Sequence, residues 1–408
     1  MNEIKTEPFD IQEFASQVKD PSILDYAGLK ASFNKENFEA LKERLKANYD
    51  PKKTNILVIG TGGTFQSKET DHGRAPEGSL EESFKAMNLP YSPDNIKINL
   101  FELFNYDSSL LNHDHRRFLA EVLVELLDDC EDFVDGFIIT HGTDTMTITA
   151  DYLSLILGRG LKKPVILTGS QDPARQAKTD AVYHMDNCLK VHEFLKEHGV
   201  AEVMVLCGNE LVRGAWAKKI SDKDSDAFSS FNDKPLLMVG NKLVKEWRLA
   251  NFVLKADPTI PFLPFTEIGQ DADIPVTELS DISAKELARI VKDNRISIWQ
   301  LLGSATCPNT HARILKEASR RGKLILLMSP FHDSQLVPGT YAAGSVLKGS
   351  KIPQLKGTAS FVRAKANFVI HEINGKFINE EGLGEVAESS SKRRFYNAMA
   401  QDLVGERF

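Results

Sequence analysis

The stretch Phe137-Ile138-Ile139-Thr140-His141-Gly142-Thr143-Asp144-Thr145-Met146 constrains the fold more than any other. An apolar run predicts a buried strand at 137–139. Met146, Ala150, Leu153 and Leu157 then recur at three- and four-residue spacing and put one apolar face on a following helix. The small polar residues between them form a tight turn. In an open α/β sheet such a turn lies beyond the carboxyl ends of the strands, where ligands bind, and a helix N-terminus there favours negative charge. Thr143 and Asp144 are therefore expected to face a site.

Other turns join the same edge. Asn55-Ile56-Leu57-Val58-Ile59 is an apolar strand running into Gly60-Thr61-Gly62-Gly63-Thr64-Phe65. No lysine follows in the P-loop position and GxGxxG is not satisfied, so both phosphate-cradling readings fail. What remains is a strand that delivers Thr61 and Thr64 to the edge, with a bland glycine turn as the alternative. Residues 66–80 are polar, carry Gly73, Pro76 and Gly78, and read as a loop whose length suits a mobile lid. A strand at 96–104 leads into Asn105-Tyr106-Asp107-Ser108-Ser109 and a helix from about His113, so Ser108 or Ser109 either caps that helix or binds a ligand. Strands at 165–167 and 203–206 end in Thr168-Gly169-Ser170-Gln171 and Cys207-Gly208-Asn209. Strands alternating with helices predict a parallel sheet.

At 408 residues the chain exceeds one ordinary core, and two domains are expected: a larger N-terminal parallel-sheet α/β domain and a smaller C-terminal α/β domain. Residues 1–50, with Phe38, Leu41 and Leu45 at helical spacing, read as a helical extension. Residues 51–253 make the first domain. The proline-rich stretch within 254–271 reads as a linker, and 272–408 as the second domain, with strands at 274–276, 296–299 and 324–328 and helices at 283–292 and 309–321. Near the C-terminus Phe395, Met399 and Leu403 form a stripe at four-residue steps, suited either to its own domain or to assembly.

A net charge of −7 argues against nucleic-acid or anionic-membrane partners, which need clustered basic residues. Lys392-Arg393-Arg394 reads as a solvated helix face. No apolar run is long enough to span a bilayer, and the first residues lack the apolar core of a signal peptide. Cys130, Cys188, Cys207 and Cys307 show no paired spacing, which fits a reducing compartment, and a cytoplasmic location is expected. His184 with Cys188, and His113 with His115, lack the further ligands of a zinc site, so no metal or cofactor is expected.

Thr61-Gly62-Gly63-Thr64 after the first strand, and Thr140-His141-Gly142-Thr143-Asp144-Thr145 in the right order and distance, resemble the signatures of the bacterial-type L-asparaginases, closer to the cytoplasmic type I branch. The run from Pro164 through Gln171 and the segment Tyr341-Ala342-Ala343-Gly344 add support, and the resemblance covers residues from about 54 onward. It implies Thr64 as the nucleophile attacking a side-chain amide, with Thr143, Lys219 and Asp144 as the second catalytic group. It also implies that Ser108 holds the substrate α-carboxylate, that Asp144 receives the α-ammonium, and that Ser109 makes a further contact. Lys218 stands beside Lys219, and the spacing to Gly214 and to Asp226-Ala227-Phe228 favours Lys219.

The chemistry needs such a set. A threonine hydroxyl must lose its proton as it attacks, so a base or a relay must lie within hydrogen-bond reach, and a lysine oriented by an aspartate can serve. The oxyanion needs donors, which backbone N–H groups of glycine turns such as those at Gly63 and Gly142 supply. The expected activity is hydrolysis of L-asparagine, or of L-glutamine, by a homodimer or homotetramer. The alternatives are an asparaginase-like subunit of a tRNA-dependent amidotransferase and a non-catalytic amino-acid-binding homologue. Three positions depart from the family pattern: Arg74 stands where a lid tyrosine is usual, Leu110 where an acidic residue is usual, and residues 356–360 lack the usual acidic residues.

Overall fold

The computed structural model describes residues 24–71, 73–89, 95–231, 234–240, 254–265, 274–332, 336–377 and 385–406. Two helices come first, α1 (Tyr26–Ser32) and α2 (Lys35–Asn48). Asp25 and Asn34 cap them, each accepting from the backbone N–H three residues on. Phe38, Leu41 and Leu45 are buried, and the ring of Phe38 lies against those of Phe33 and Phe101. Residues 1–23 of the expected helical extension lie outside the described residues.

The main sheet is built from β1 (Thr54–Gly62), the short hairpin strands β2 (Lys68–Thr70) and β3 (Gly73–Ala75) standing apart from it, α3 (Leu80–Ala86), β4 (Ile96–Tyr106), α4 (His113–Cys130), β5 (Gly136–Thr140), α5 (Met146–Leu157), β6 (Val165–Thr168), α6 (Ala181–His198), β7 (Val203–Leu206) and β8 (Glu210–Arg213). After it come the hairpin of β9 (Ala217–Lys219) and β10 (Phe228–Ser230), and β11 (Leu237–Met238). The seven strands lie in the order β11-β8-β7-β6-β5-β1-β4. The five from β7 to β4 run parallel. Beyond them the pairing turns antiparallel, β8 with β7 and β11 with β8, because Cys207-Gly208-Asn209 makes a tight turn rather than opening a helix.

Strand side chains alternate between the two faces of the sheet. Leu57, Ile59, Phe137, Ile139, Val165 and Leu167 enter one apolar cluster, shared with α4 and α5. Ile56, Val58, Ile138 and Ile166 enter another, shared with α6. Helices thus cover both faces, and the near-continuous apolar strands follow from that double burial.

The second sheet has β12 (Val276–Glu278), α7 (Ala284–Asp293), β13 (Ile296–Gln300), α8 (Asn309–Arg320), β14 (Leu324–Met328) and β15 (Gln354–Leu355), all four strands parallel in the order β12-β13-β14-β15. Helices α9 (Ala359–Phe377) and α10 (Glu385–Met399) follow. The larger-plus-smaller α/β architecture expected from the sequence is present.

Three expectations need correction. Helix α5 is buried nearly all round rather than on one face, because α9 packs against the side turned away from the sheet. Residues 66–80 are not a plain loop; they hold the β2–β3 hairpin. The C-terminal stripe is cut short, since α10 ends at Met399 and Leu403 lies beyond it, and Phe395 and Met399 are buried in the chain's own core. That stripe carries no argument for assembly.

Candidate active site

Three strand ends meet at the carboxyl edge of the main sheet. Beyond β1 the backbone of Gly63 takes φ +72°, and a Cβ there would fall 2.4 Å from Gly142 Cα. A Cβ on Gly142 would in turn fall 2.5 Å from Ser108 Oγ. Only glycines let the turns after β1, β5 and β4 stack this closely. Gly63 N–H also donates to the Tyr106 carbonyl at 2.9 Å, fixing the first turn on the strand beside it.

Thr64 follows Gly63 as the first residue of a 3-10 turn and is half-buried. Thr61 has a different task from the one its sequence position suggests. It is buried, and its hydroxyl donates to the Thr140 carbonyl at 2.8 Å, stitching β1 to β5 rather than facing the edge. Gln66 locks the turn from beneath: its Oε1 accepts from Gly62 N–H at 3.2 Å and its Nε2 donates to Glu102 at 3.0 Å.

The structure brings Thr143, Asp144 and Lys219 together. Lys219 Nζ donates to Thr143 Oγ1 at 2.9 Å and to Asp144 Oδ1 at 2.6 Å. Thr143 is buried, whereas the Asp144 side chain is 69% exposed and open to an incoming ligand. Lys219 ends β9, paired opposite Phe228. Alternation along that strand decides between the two adjacent lysines: Lys218 turns outward and lies over the Phe231 ring.

Ser108 is buried against Gly142, and its carbonyl accepts from the Thr145 hydroxyl at 2.7 Å. Thr145 therefore ties two turns together instead of capping α5. Ser109 is exposed, and its hydroxyl and N–H both bond Asp107 Oδ1, at 2.7 and 2.8 Å. Neither serine caps α4; Asn112 does, accepting from His115 N–H at 3.3 Å.

Arg74, in the hairpin, fastens that hairpin to the turn after β6. Its guanidinium donates to Glu69 within the hairpin, to the Gln171 carbonyl at 3.0 Å, and pairs with Asp172 at 3.1 Å. Gln176 Nε2 adds a second tie to the hairpin, donating to Glu69 at 3.3 Å, while Arg175 pairs with Glu82 of α3 and Ala174 N–H donates to the Phe65 carbonyl in the turn after β1.

Sequence reasoning missed His141, although it sits inside the signature turn. It is fully buried, with Nδ1 2.7 Å from the Gly142 carbonyl and Nε2 2.9 Å from Thr149 Oγ1. Burial, helped by the charge of Arg116 and opposed by the Gly142 contact, pushes its imidazole down to about 4. Among the described residues no group of three or more His, Cys, Asp or Glu side chains is placed to hold a metal.

The family model for the asparaginase N-terminal region matches residues 55–251. L-asparaginase 1 of Escherichia coli strain K12 is 30% identical to the chain over 306 residues, covering 72% of the chain and 85% of that protein. The chain belongs to the asparaginase family. It is an amidohydrolase of linear amides. L-asparaginase I of Vibrio cholerae superposes with a TM-score of 0.67 at 25% identity, over 87% of this chain and 99% of that one. The thermostable L-asparaginase of Thermococcus kodakarensis, at 19% identity and a TM-score of 0.64, shares the fold. A glutamyl-tRNA(Gln) amidotransferase component of Aeropyrum pernix is 32% identical over 208 residues, covering 49% of this asparaginase-family chain and 47% of that protein.

Proposed function

We propose that the chain hydrolyses free L-asparagine, or its close homologue L-glutamine, to the acid and ammonia, with Thr64 as nucleophile. The observation that carries this reading is Lys219 Nζ within hydrogen-bond distance of both Thr143 and Asp144, beside the turn that presents Thr64. Thr64 attacks the side-chain amide carbon; its proton passes through Thr143 to Lys219 acting as the neutral amine, and on to the departing ammonia, after which water cleaves the Thr64 ester, giving the acid and returning the hydroxyl proton to Thr64. The Gly63 N–H bonds the Tyr106 carbonyl, so the oxyanion takes its donors from the backbone N–H groups that follow Gly63 and from the Gly142 turn. Ser108 holds the α-carboxylate, Ser109 lies beside it, and the exposed Asp144 carboxylate receives the α-ammonium.

Ammonia release from purified protein and free amides, with no tRNA and no second protein, tests the reading. Thr64→Ala is expected to abolish release while substrate still binds, since the glycine turn survives and only the attacking oxygen is lost. Release at the wild-type rate from that variant would leave Thr143 as the nucleophile. Release that required charged tRNA would favour a role within an amidotransferase, which the half-length likeness to the Aeropyrum pernix protein keeps in view. Binding without turnover in the wild type would mark a non-catalytic homologue.

The same proposal includes the division at 51–253, 254–271 and 272–408 and a homodimer or homotetramer, read by light scattering against the mass of one chain. It includes a cytoplasmic location, which the four buried, unpaired cysteines support.

A further inference from the structure

Beneath the Thr143 turn runs a buried polar chain that none of the roles above uses. Arg116 Nε donates to Thr149 Oγ1 at 3.2 Å, and Arg116 Nη2 donates to the Leu111 carbonyl at 2.8 Å. Thr149 Oγ1 lies 2.9 Å from His141 Nε2, and His141 Nδ1 lies 2.7 Å from the Gly142 carbonyl. All three side chains are buried.

The direction of every proton in this chain follows from what each group can do. A carbonyl only accepts, so His141 Nδ1 carries a proton. Burial keeps the ring neutral at ordinary pH, which leaves Nε2 bare and able only to accept. Thr149 must then donate its hydroxyl proton to Nε2, and its oxygen lone pairs are free to receive Arg116, which only donates. One arrangement satisfies these partners, and apart from the Arg116 bond to the Leu111 carbonyl every bond in it points from the arginine toward the Gly142 carbonyl.

That carbonyl belongs to the peptide that leads directly into Thr143. We infer that Arg116, Thr149 and His141 are positioning residues that fix the plane of the Gly142–Thr143 peptide, and through it the Thr143 hydroxyl that faces Lys219. The inference rests on the proposed role of Thr143. Ser108 packs closely on Gly142 and leaves no room there for a side chain, and His141 binds the Gly142 carbonyl, so the peptide cannot rotate without breaking a buried hydrogen bond. Helix α5 supplies Thr149 and α4 supplies Arg116, so the rigid elements behind the turn set its geometry rather than the turn itself.

Two measurements test this. The first is the nitrogen NMR spectrum of histidine-labelled wild-type protein, in which His141 is expected as a neutral ring protonated at Nδ1 throughout the assay range. A ring protonated at Nε2, or an imidazolium, overturns the inference without any variant. The second compares Thr149→Val, which keeps shape but cannot donate, with Thr149→Ser, which can. The valine variant is expected to lose roughly 10- to 100-fold in kcat with KM unchanged, the cost of one unmade buried hydrogen bond, and the serine variant to recover most of it. Wild-type kcat in Thr149→Val, or a loss that serine does not restore, overturns it. Should wild-type protein release no ammonia from any free amide, the proposed function falls, while the NMR result still decides the proton arrangement.

Discussion

Lys219 Nζ lies 2.9 Å from Thr143 Oγ1, although the two residues are 76 positions apart, one following a strand of the main sheet and the other ending a strand of a separate hairpin. The same nitrogen reaches Asp144 at 2.6 Å, so one lysine nitrogen spans a buried hydroxyl and an exposed carboxylate. A contact so far from local in the chain is made because β9 and β10 form a hairpin that ends over the turn following β5.

Lys219→Met, close in length but unable to move a proton, is expected to lower kcat by at least about 100-fold, the usual cost of a lost general base. Lys218→Met should leave turnover near wild type, because that side chain turns outward over Phe231. Steady-state kinetics on both variants checks this. Equal behaviour of the two would remove Lys219 from the proposed mechanism.

Arg74→Ala is expected to raise KM more than it lowers kcat and to speed amide exchange across 68–75, with little change in thermal stability. The exposed ion pairs of Arg74 add little to global stability, but they hold the hairpin on Gln171 and Asp172. Arg74→Lys should restore only part, since an ammonium cannot present the planar fork that bonds Glu69, the Gln171 carbonyl and Asp172 at once. Hydrogen exchange followed by mass spectrometry reads the hairpin directly. Unchanged exchange would assign the clasp to Gln176, which donates to Glu69, instead.

Much of this molecule is legible in its sequence, and the parts that are not share a cause. Strands at β1, β5, β6 and β7 declare themselves because they are buried on both faces, and the turns after them are marked by glycine and small polar residues. The antiparallel return of β8 is hidden, because Cys207-Gly208-Asn209 as a string does not distinguish a helix start from a hairpin. Thr61 and Thr64 look equivalent in sequence; only the pairing of β1 with β5 shows that Thr61 bonds the Thr140 carbonyl. Ser108, Ser109 and Asn112 are all good cap residues, and tertiary contact with Gly142 takes Ser108 out of that contest. Arg74 and His141 act through partners 97 and 8 positions away respectively, distances at which spacing carries no signal unless the fold is known.

Asp151 gives the last prediction. It lies on α5, fully buried, and among the described residues neither carboxyl oxygen has a hydrogen-bond partner. Burial pushes its carboxyl well above the usual carboxylate range, and the nearby Ser360 hydroxyl and Arg116 charge offset only part of that. An unfolded carboxyl ionises near pH ~3.9, so below that value both states are neutral and Asp151 costs nothing. As pH rises the unfolded chain releases the proton and the folded chain keeps it, so this residue subtracts stability at about 1.4 kcal/mol per pH unit until the folded carboxyl also ionises. Asp151→Asn, which has the shape of the protonated acid and no titration, is expected to be more stable than wild type near neutral pH. The advantage should shrink steadily on acidification and vanish near pH ~4. Denaturant midpoints across that range supply the test, with the difference between the two proteins isolating this one group. A difference independent of pH would show that Asp151 is ionised in the folded protein, and Arg116 would then have to be its counter-ion.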